Sequence, residues 1–199
     1  MIARTLLVLL TCCSLSAFAE PLTVTVTNID GEPAVGAEVF CIRWHDYGCR
    51  TKPLPDGARQ IANENGRAYF EVEGPEQYIL YARQGRFGVH DRYYPNREAS
   101  KGAAKLQLEY ARRITGTIRD DDGNPLEGVQ IMALSTVPLG ETDADGRYDI
   151  YTMGRYCADE WLYKPGYVAS RFSFAFDFSM YDIVLSRGVP ITGKVVWSD

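Results

Sequence analysis

Along much of the chain, apolar and polar residues alternate in short runs. Leu22, Val24 and Val26 alternate with Thr23, Thr25 and Thr27, and Ile114, Gly116 and Ile118 alternate with Thr115, Thr117 and Arg119. A period of two puts each set on its own face of a strand, which predicts half-buried β-strands at both places. Val129, Ile131 and Ala133 form a further inward set. Phe172, Phe174, Phe176 and Phe178 alternate with Ser173, Ala175, Asp177 and Ser179 as one face of one or two strands. Between the runs stand Asp30-Gly31, Asn65-Gly66, Asp122-Gly123 and Asp145-Gly146. These are turn signals, because Gly accepts the positive φ of a tight hairpin connection. Pro33 and Pro125 lie just past two of them, where a missing N–H costs little. No segment offers ten residues of clear 3.6-residue periodicity, and Arg97–Lys105 allows one helical turn at most. The expected fold is all-β, built as tandem antiparallel β-sandwiches.

The runs belong to an internal repeat. Leu22–Val39 (LTVTVTNIDGEPAVGAEV) matches Ile114–Ile131 (ITGTIRDDDGNPLEGVQI) without a gap, 92 positions on. Ile191–Asp199 (ITGKVVWSD) begins a third copy 77 positions later. Asn63-Glu64-Asn65-Gly66-Arg67 matches Asp143-Ala144-Asp145-Gly146-Arg147, and Leu106-Gln107-Leu108 matches Ile183-Val184-Leu185. Gly31 to Gly66 is 35 positions but Gly123 to Gly146 only 23; the 12 extra residues fall around Trp44–Asp56. The expected organisation is a signal peptide over 1–19, a first sandwich over 20–111, a second over 112–188 and the first strand of an incomplete third repeat over 189–199. The connection Glu109–Arg113 has no Gly or Pro, so the sandwiches are expected to follow each other stiffly.

The pattern I-T-G-x-[IV]-x-D-x-x-G-x-P-L-x-G-V-x-[IV], then T-D-x-D-G-x-[YF], resembles the carboxypeptidase regulatory-like domain. Ile114–Ile150 fits closely, including Thr142-Asp143-Ala144-Asp145-Gly146-Arg147-Tyr148, and Tyr163-Lys164-Pro165-Gly166-Tyr167 resembles a later element of that domain. The likeness spans about 113–187 and, more loosely, 21–110, where Thr23-Val24-Thr25 stands in place of Thr-Gly-x and the 12-residue insertion intervenes. It implies a transthyretin-like (prealbumin-like, Ig-like) seven-strand sandwich in each copy. Such domains occur as appendages on metallocarboxypeptidases, at the N-terminus of TonB-dependent transporters and in strings on secreted proteins. The likeness therefore implies a fold and no activity.

The N-terminus adds a compartment. Arg4, the apolar stretch Thr5–Leu10 and Ala17-Phe18-Ala19 read as a secretory signal with cleavage after Ala19, so the protein is expected to be exported to a periplasmic or extracellular location. Cys12 and Cys13 follow Leu9 and Leu10, but Thr11 and Cys12 fit poorly the small residue a lipidation site needs. Cys41, Cys49 and Cys157 remain after cleavage. Export permits disulfides; the short loop between Cys41 and Cys49 favours that bridge, with Cys41–Cys157 as the alternative. With 21 basic against 26 acidic residues the net charge is −5. That excludes a general nucleic-acid binder and a polybasic membrane-surface protein. No 18-residue apolar run follows the N-terminus, so no membrane span is expected.

Catalytic chemistry finds little support. His45 and His90 are the two histidines, there is no H-x-x-E or H-E-x-x-H, and neither G-x-S-x-G nor a P-loop occurs. No catalytic residue, metal ligand or cofactor is assigned. Asp120–Asn124 and Asp143–Gly146 look like oxygen-rich calcium loops, but Asx-Gly turns explain them alone. The candidate binding residues are Trp44, His45, Asp46 and Tyr47, with His90, Asp91, Tyr93 and Tyr94, all placed in first-copy loops. Aromatic faces stack on sugar rings while adjacent Asp, Arg and His bond hydroxyls, which suits a glycan or peptide partner; the competing reading has these aromatics covering the open end of the sandwich. The orphan strand from Val189 offers self-association by strand pairing. Three functions stay open at this point: an exported non-catalytic binding or spacer protein, a carbohydrate-binding module using the first-copy loops, and an accessory N-terminal region of a longer exported enzyme or transporter.

Overall fold

A computed structural model describes residues 19–44, 57–97, 101–133, 136–152, 160–172 and 179–189. Its first half contains β1 (Ala19–Thr27), β2 (Glu38–Arg43), β3 (Arg59–Ile61), β4 (Arg67–Glu73), β5 (Tyr78–Gln84), β6 (Phe87–Tyr93), β7 (Ala103–Gln107) and β8 (Glu109–Tyr110). Its second half contains β9 (Arg112–Arg119), β10 (Gln130–Ala133), β11 (Val137–Glu141), β12 (Arg147–Thr152), β13 (Glu160–Tyr163), β14 (Ser170–Phe172) and β15 (Met180–Val184). The chain is all-β, as the alternation predicts.

The repeat in sequence is a repeat in topology. A three-stranded sheet β4-β1-β7 faces a larger sheet β3-β2-β5-β6-β8, and β12-β9-β15 faces β11-β10-β13-β14 in the same order. Leu22, Val24, Val26, Leu80, Phe70 and Leu106 meet in the first core; Ile114, Ile118, Ile131, Tyr148, Leu162 and Leu185 meet in the second. Two ladders depart from the antiparallel expectation. β7 runs parallel to β1, and β15 parallel to β9, while the other ladders among the described residues are antiparallel. The helical turn allowed at Arg97–Lys105 is also corrected: its end, from Ala103, is the start of β7.

Four turns share one construction. In Asn28-Ile29-Asp30-Gly31, the Asn28 side-chain oxygen accepts the N–H groups of Asp30 and Glu32. Asn63 does the same for Asn65 and Arg67, Asp120 for Asp122 and Asn124, and Asp143 for Asp145 and Arg147. Such Asx turns hold the backbone as a hydrogen-bonded turn would. The oxygen-rich look of Asp120–Asn124 and Asp143–Gly146 is thus the signature of side chains bonded to their own loops. Two of the turns also need glycine for space. Gly66 (φ 69°) lies against β1 and Gly146 (φ 73°) against β9, and a Cβ would stand 2.4 Å from the Val26 carbonyl oxygen and 2.5 Å from that of Ile118.

Asp120 carries a second duty. Its side chain is buried, and Arg187 donates to it at 2.8 Å. The Arg187 guanidinium, with the loop N–H donors, holds the Asp120 carboxyl down to about 2, against the contrary pull of burial. A carboxylate whose folded pKa lies below its unfolded value stabilises the fold above the unfolded value near 4, and that contribution is lost as pH falls from about 4 to about 2. Asp120→Asn keeps the turn, as Asn28 does in the first copy, but removes the charge. Its denaturation curves are expected to show a flatter loss of stability between pH 4 and pH 2 than the parent; parallel acid limbs would refute the role.

Candidate functional site

The candidate residues do not form one cluster of loops. The register of the first large sheet sets Phe40 opposite Tyr81 and Tyr81 opposite His90, then Ile42 opposite Ile79 and Ile79 opposite Arg92. These six side chains share the outer face of β2, β5 and β6, because alternate residues share a face. Trp44 continues the row just past β2; it is 37% exposed, and the Arg92 guanidinium lies 5.4 Å from its ring centroid. His90 is half-buried on this face, and burial, aided by Arg92 and opposed by Asp91, pulls its pKa below the usual imidazole value.

Three residues expected in loops, His90, Asp91 and Tyr93, are therefore in a strand. β6 pairs with β5 along its whole length, and this pairing overrides the polar look of His90-Asp91-Arg92. Asp91 is exposed, its carboxylate accepting the Arg92 N–H at 2.7 Å. Tyr93 points the other way: it is 3% exposed in the first core, and its hydroxyl accepts the Gly102 N–H at 3.0 Å. The Tyr94 ring lies under the Arg97 guanidinium, 4.0 Å from its centroid. His45, Asp46 and Tyr47 lie outside the described residues. So does Cys49, as does Cys157. Cys41 carries a free thiol in this structure, and the bridge expected to Cys49, with Cys157 as the alternative, involves residues outside those described. Cys41 occupies an inward position of β2, 7% exposed in the core, and burial pushes its pKa up to about 12.

The outer face instead does something the sequence reading missed. Phe40, Ile42, Ile79 and Tyr81 are 0–3% exposed although they lie outside the first core. They pack against Ala133, Val137 and Leu139 of the second sandwich as a third apolar cluster. Arg83, beside them, donates to the Pro138 carbonyl across the junction and to Glu38, which Arg59 holds from the other side. Burial raises the Glu38 pKa, and the two guanidinium groups more than reverse it, so the net shift is downward. Thr152 donates to the buried Glu160 carboxylate next to Ala133. Burial lifts the Tyr81 hydroxyl to about 12. Beside the junction runs a cleft of about 380 Å³, lined by Glu38, Arg83, Phe87, Leu139, Asp149 and Tyr151.

The signal for this face is in the sequence. β2 and β5 read Val39-Phe40-Cys41-Ile42 and Tyr78-Ile79-Leu80-Tyr81-Ala82, continuous apolar runs where β1 alternates. Continuous runs of strand length mark burial on both faces. The connection between the sandwiches is equally built in. Tyr110 and Glu109 pair with Phe87 and Gly88, the Ala111 N–H donates to the Arg86 carbonyl at 2.9 Å, and β9 begins at the next residue. Arg86 is held 5.4 Å from the ring centroids of both Phe87 and Tyr110.

Chemically this arrangement holds surfaces together. At the junction Glu38 is ion-paired with Arg59 and Arg83, and among the described residues no group of three or more His, Cys, Asp or Glu side chains is placed to hold a metal ion. No helix of the described residues is long and apolar enough to cross a membrane.

No protein-family model matches the chain, and no curated protein matches it. Among solved structures, the shaft pilin of Lactobacillus rhamnosus GG is similar over 88% of this chain and 100% of its own, at 11% identity and a TM-score of 0.35. The minor pilin GBS52 of Streptococcus agalactiae is similar over 90% of this chain and 100% of its own, at 14% identity and a TM-score of 0.34. The Bacillus anthracis TIE protein is similar over 85% of this chain and 34% of its own, at 14% identity and a TM-score of 0.29. Likenesses at this level assign neither a family nor a function to the chain.

Proposed function

We propose that the protein is an exported, non-catalytic spacer or binding protein of the carboxypeptidase regulatory-like kind, in which domains 20–111 and 112–188 form one stiff unit. The junction carries this reading. Domains joined by a small polar contact move relative to each other by default, and a hydrophobic interface is what stops them. Here four large side chains of the first sandwich are sealed by the second, and the linker is a strand of the first. Fixing orientation is of no use to a lone binding pocket; it serves a protein whose task is to hold surfaces at a set distance and angle.

A carbohydrate-binding module has less to draw on. Of its four aromatics, Tyr93 is buried and Tyr94 is stacked under Arg97, which leaves Trp44 among the described residues.

The stiff-unit reading is tested by residual dipolar couplings on the exported chain. Both sandwiches are expected to fit one alignment tensor. Two tensors of different magnitude and direction would show independent domains and remove the reading.

A further inference from the structure

We infer that the outer face of the small first sheet, β4-β1-β7, pairs with the same face of a second copy of this chain, with Tyr69 at the centre and Arg67 of each copy against Glu71 of the other. The inference goes beyond the spacer reading and uses no residue of the junction.

Alternation and register lay this face out in rows. Arg67, Tyr69 and Glu71 point outward on β4, between the buried Ala68, Phe70 and Val72. Glu71 lies opposite Pro21, Tyr69 is in line with Thr23 and Ala103, and Arg67 is in line with Thr25 and Lys105. The middle row carries no charge; Thr23 and Ala103 are short, and Tyr69 beside them is 56% exposed. The Glu71 carboxylate stands one row to one side of it, and the cations of Arg67 and Lys105 one row to the other.

The second sandwich shows the same face satisfied within one chain. Through the repeat, Arg67, Tyr69 and Lys105 correspond to Arg147, Asp149 and Asp182. There each charge is engaged. Arg147 pairs with Asp145 at 2.8 Å, Asp149 with Arg113 at 2.6 Å, and the Asp182 carboxylate accepts the Thr117 hydroxyl at 2.7 Å. In the first sandwich Asn65 stands in place of Asp145, so Arg67 has no neighbouring carboxylate on its turn. Among the described residues the side chains of Arg67, Glu71 and Lys105 make no ion pair or hydrogen bond. The first face therefore holds both signs of charge, separated by a neutral row and unanswered within the chain.

Symmetry and charge select the arrangement. A face that packs on itself forms an isologous contact, so each pair of residues occurs twice. A two-fold axis along the strands would set β4 over β7 and bring Arg67 of one copy onto Lys105 of the other. An axis along the middle row instead lays β4 antiparallel on β4. Tyr69 then meets Tyr69, and the rows on either side exchange, which sets Arg67 of each copy on Glu71 of the other. Opposite charges steer two surfaces into one register and like charges exclude the alternative. Aromatic side chains are favoured at the centre of such contacts. Three strands and the seven residues of β4 span about 14 by 23 Å, which belongs at the weak end of interface sizes.

Sedimentation velocity of the exported chain, from about 10 μM to about 1 mM, measures the association. A reversible dimer is expected at the upper end, and it should loosen as added salt screens the exposed charges. Arg67→Glu and Glu71→Arg are each expected to weaken it by about tenfold or more, because each change creates two like-charge contacts per dimer. Mixed in equal amounts, the two variants should form a heterodimer of parental strength, and the double variant should form a homodimer. A chain that stays monomeric at about 1 mM overturns the inference. So does a dimer that neither single change weakens, or a mixture or double variant that does not reassociate. Both side chains are exposed, so both variants are expected to melt with the parent. If either fails to fold, the parent decides, and a parental dimer indifferent to salt overturns the inference. The spacer reading fails separately, through two alignment tensors in the dipolar couplings.

Discussion

Gly116→Ala is expected to cost about 3 kcal/mol of stability or more, with the damage centred on the second sandwich. Gly116 sits in the middle of β9, between Tyr148 of β12 and Tyr181 of the parallel strand β15. A Cβ there would stand 1.7 Å from the Tyr181 carbonyl oxygen and 2.9 Å from the Tyr148 hydroxyl. The nearer atom belongs to backbone, so no side-chain rotation relieves it; β15 has to leave β9. With it goes the hydrogen bond from the Tyr148 hydroxyl to the Tyr181 carbonyl at 3.0 Å. Overpacking of a core usually costs about 1–3 kcal/mol, and a clash with a paired strand belongs at or above the top of that range. Against a domain stability of about 5–15 kcal/mol, a loss of that size removes a large share of the margin and lowers the unfolding midpoint clearly.

The first copy shows how the same position is filled another way. Val24 stands where Gly116 does, and Ala68 stands opposite it where Tyr148 does. Both are buried, at 0% and 2% exposed. The volume has been exchanged across the ladder: a large residue on β1 against a small one on β4, or none on β9 against a tyrosine on β12. Gly116→Val with Tyr148→Ala is therefore expected to lose less stability than the two single changes together, as contacting residues couple. Denaturant unfolding of the four proteins measures the coupling. A Gly116→Ala loss below about 1 kcal/mol would mean that β15 can shift freely, and the account of the site would fail.

This exchange also shows where sequence reading stops. The alternation of Ile114, Gly116 and Ile118 marks the inward face of β9 correctly, and the four Asx-Gly turns are correctly placed. Neither reveals that β15 approaches β9 in parallel, because period-two alternation says which face a residue occupies and nothing of the neighbour's direction. The junction was half legible. Phe40, Ile42, Ile79 and Tyr81 lie in unbroken apolar runs, which announce burial on two faces without saying what covers the second. The candidate residues fared differently for a local reason. His90 and Asp91 are polar and look like loop, yet β6 takes its structure from the apolar strand β5 beside it, and that pairing turns Tyr93 into the core and leaves His90 and Arg92 on the outer face, Arg92 against Trp44.

The largest effect on architecture is expected from Val137→Asp. Val137 is fully buried between the sandwiches, against Phe40, Ile79 and Tyr81. A carboxylate placed there has no cationic partner in the cluster, because Arg83 is already engaged by Glu38 and the Pro138 carbonyl. Burying an unpaired charge costs several kcal/mol, so the junction opens to hydrate it. The two inner cores do not include Val137 and are expected to survive. Thermal unfolding, followed by calorimetry, should then change from one coupled transition to two, and the dipolar couplings should separate into two alignment tensors. Val184→Asp is the control: Val184 is 63% exposed on β15, and a charge there should shift stability by no more than about 0.5 kcal/mol. A Val137→Asp protein that still unfolds in one step and still fits one tensor would show that the paired linker β8, not the apolar cluster, fixes the angle between the sandwiches. The two contributions are separable in this way because they use different atoms. The cluster acts through buried side chains on the outer face of β2 and β5, and the linker acts through backbone hydrogen bonds along the edge of β6.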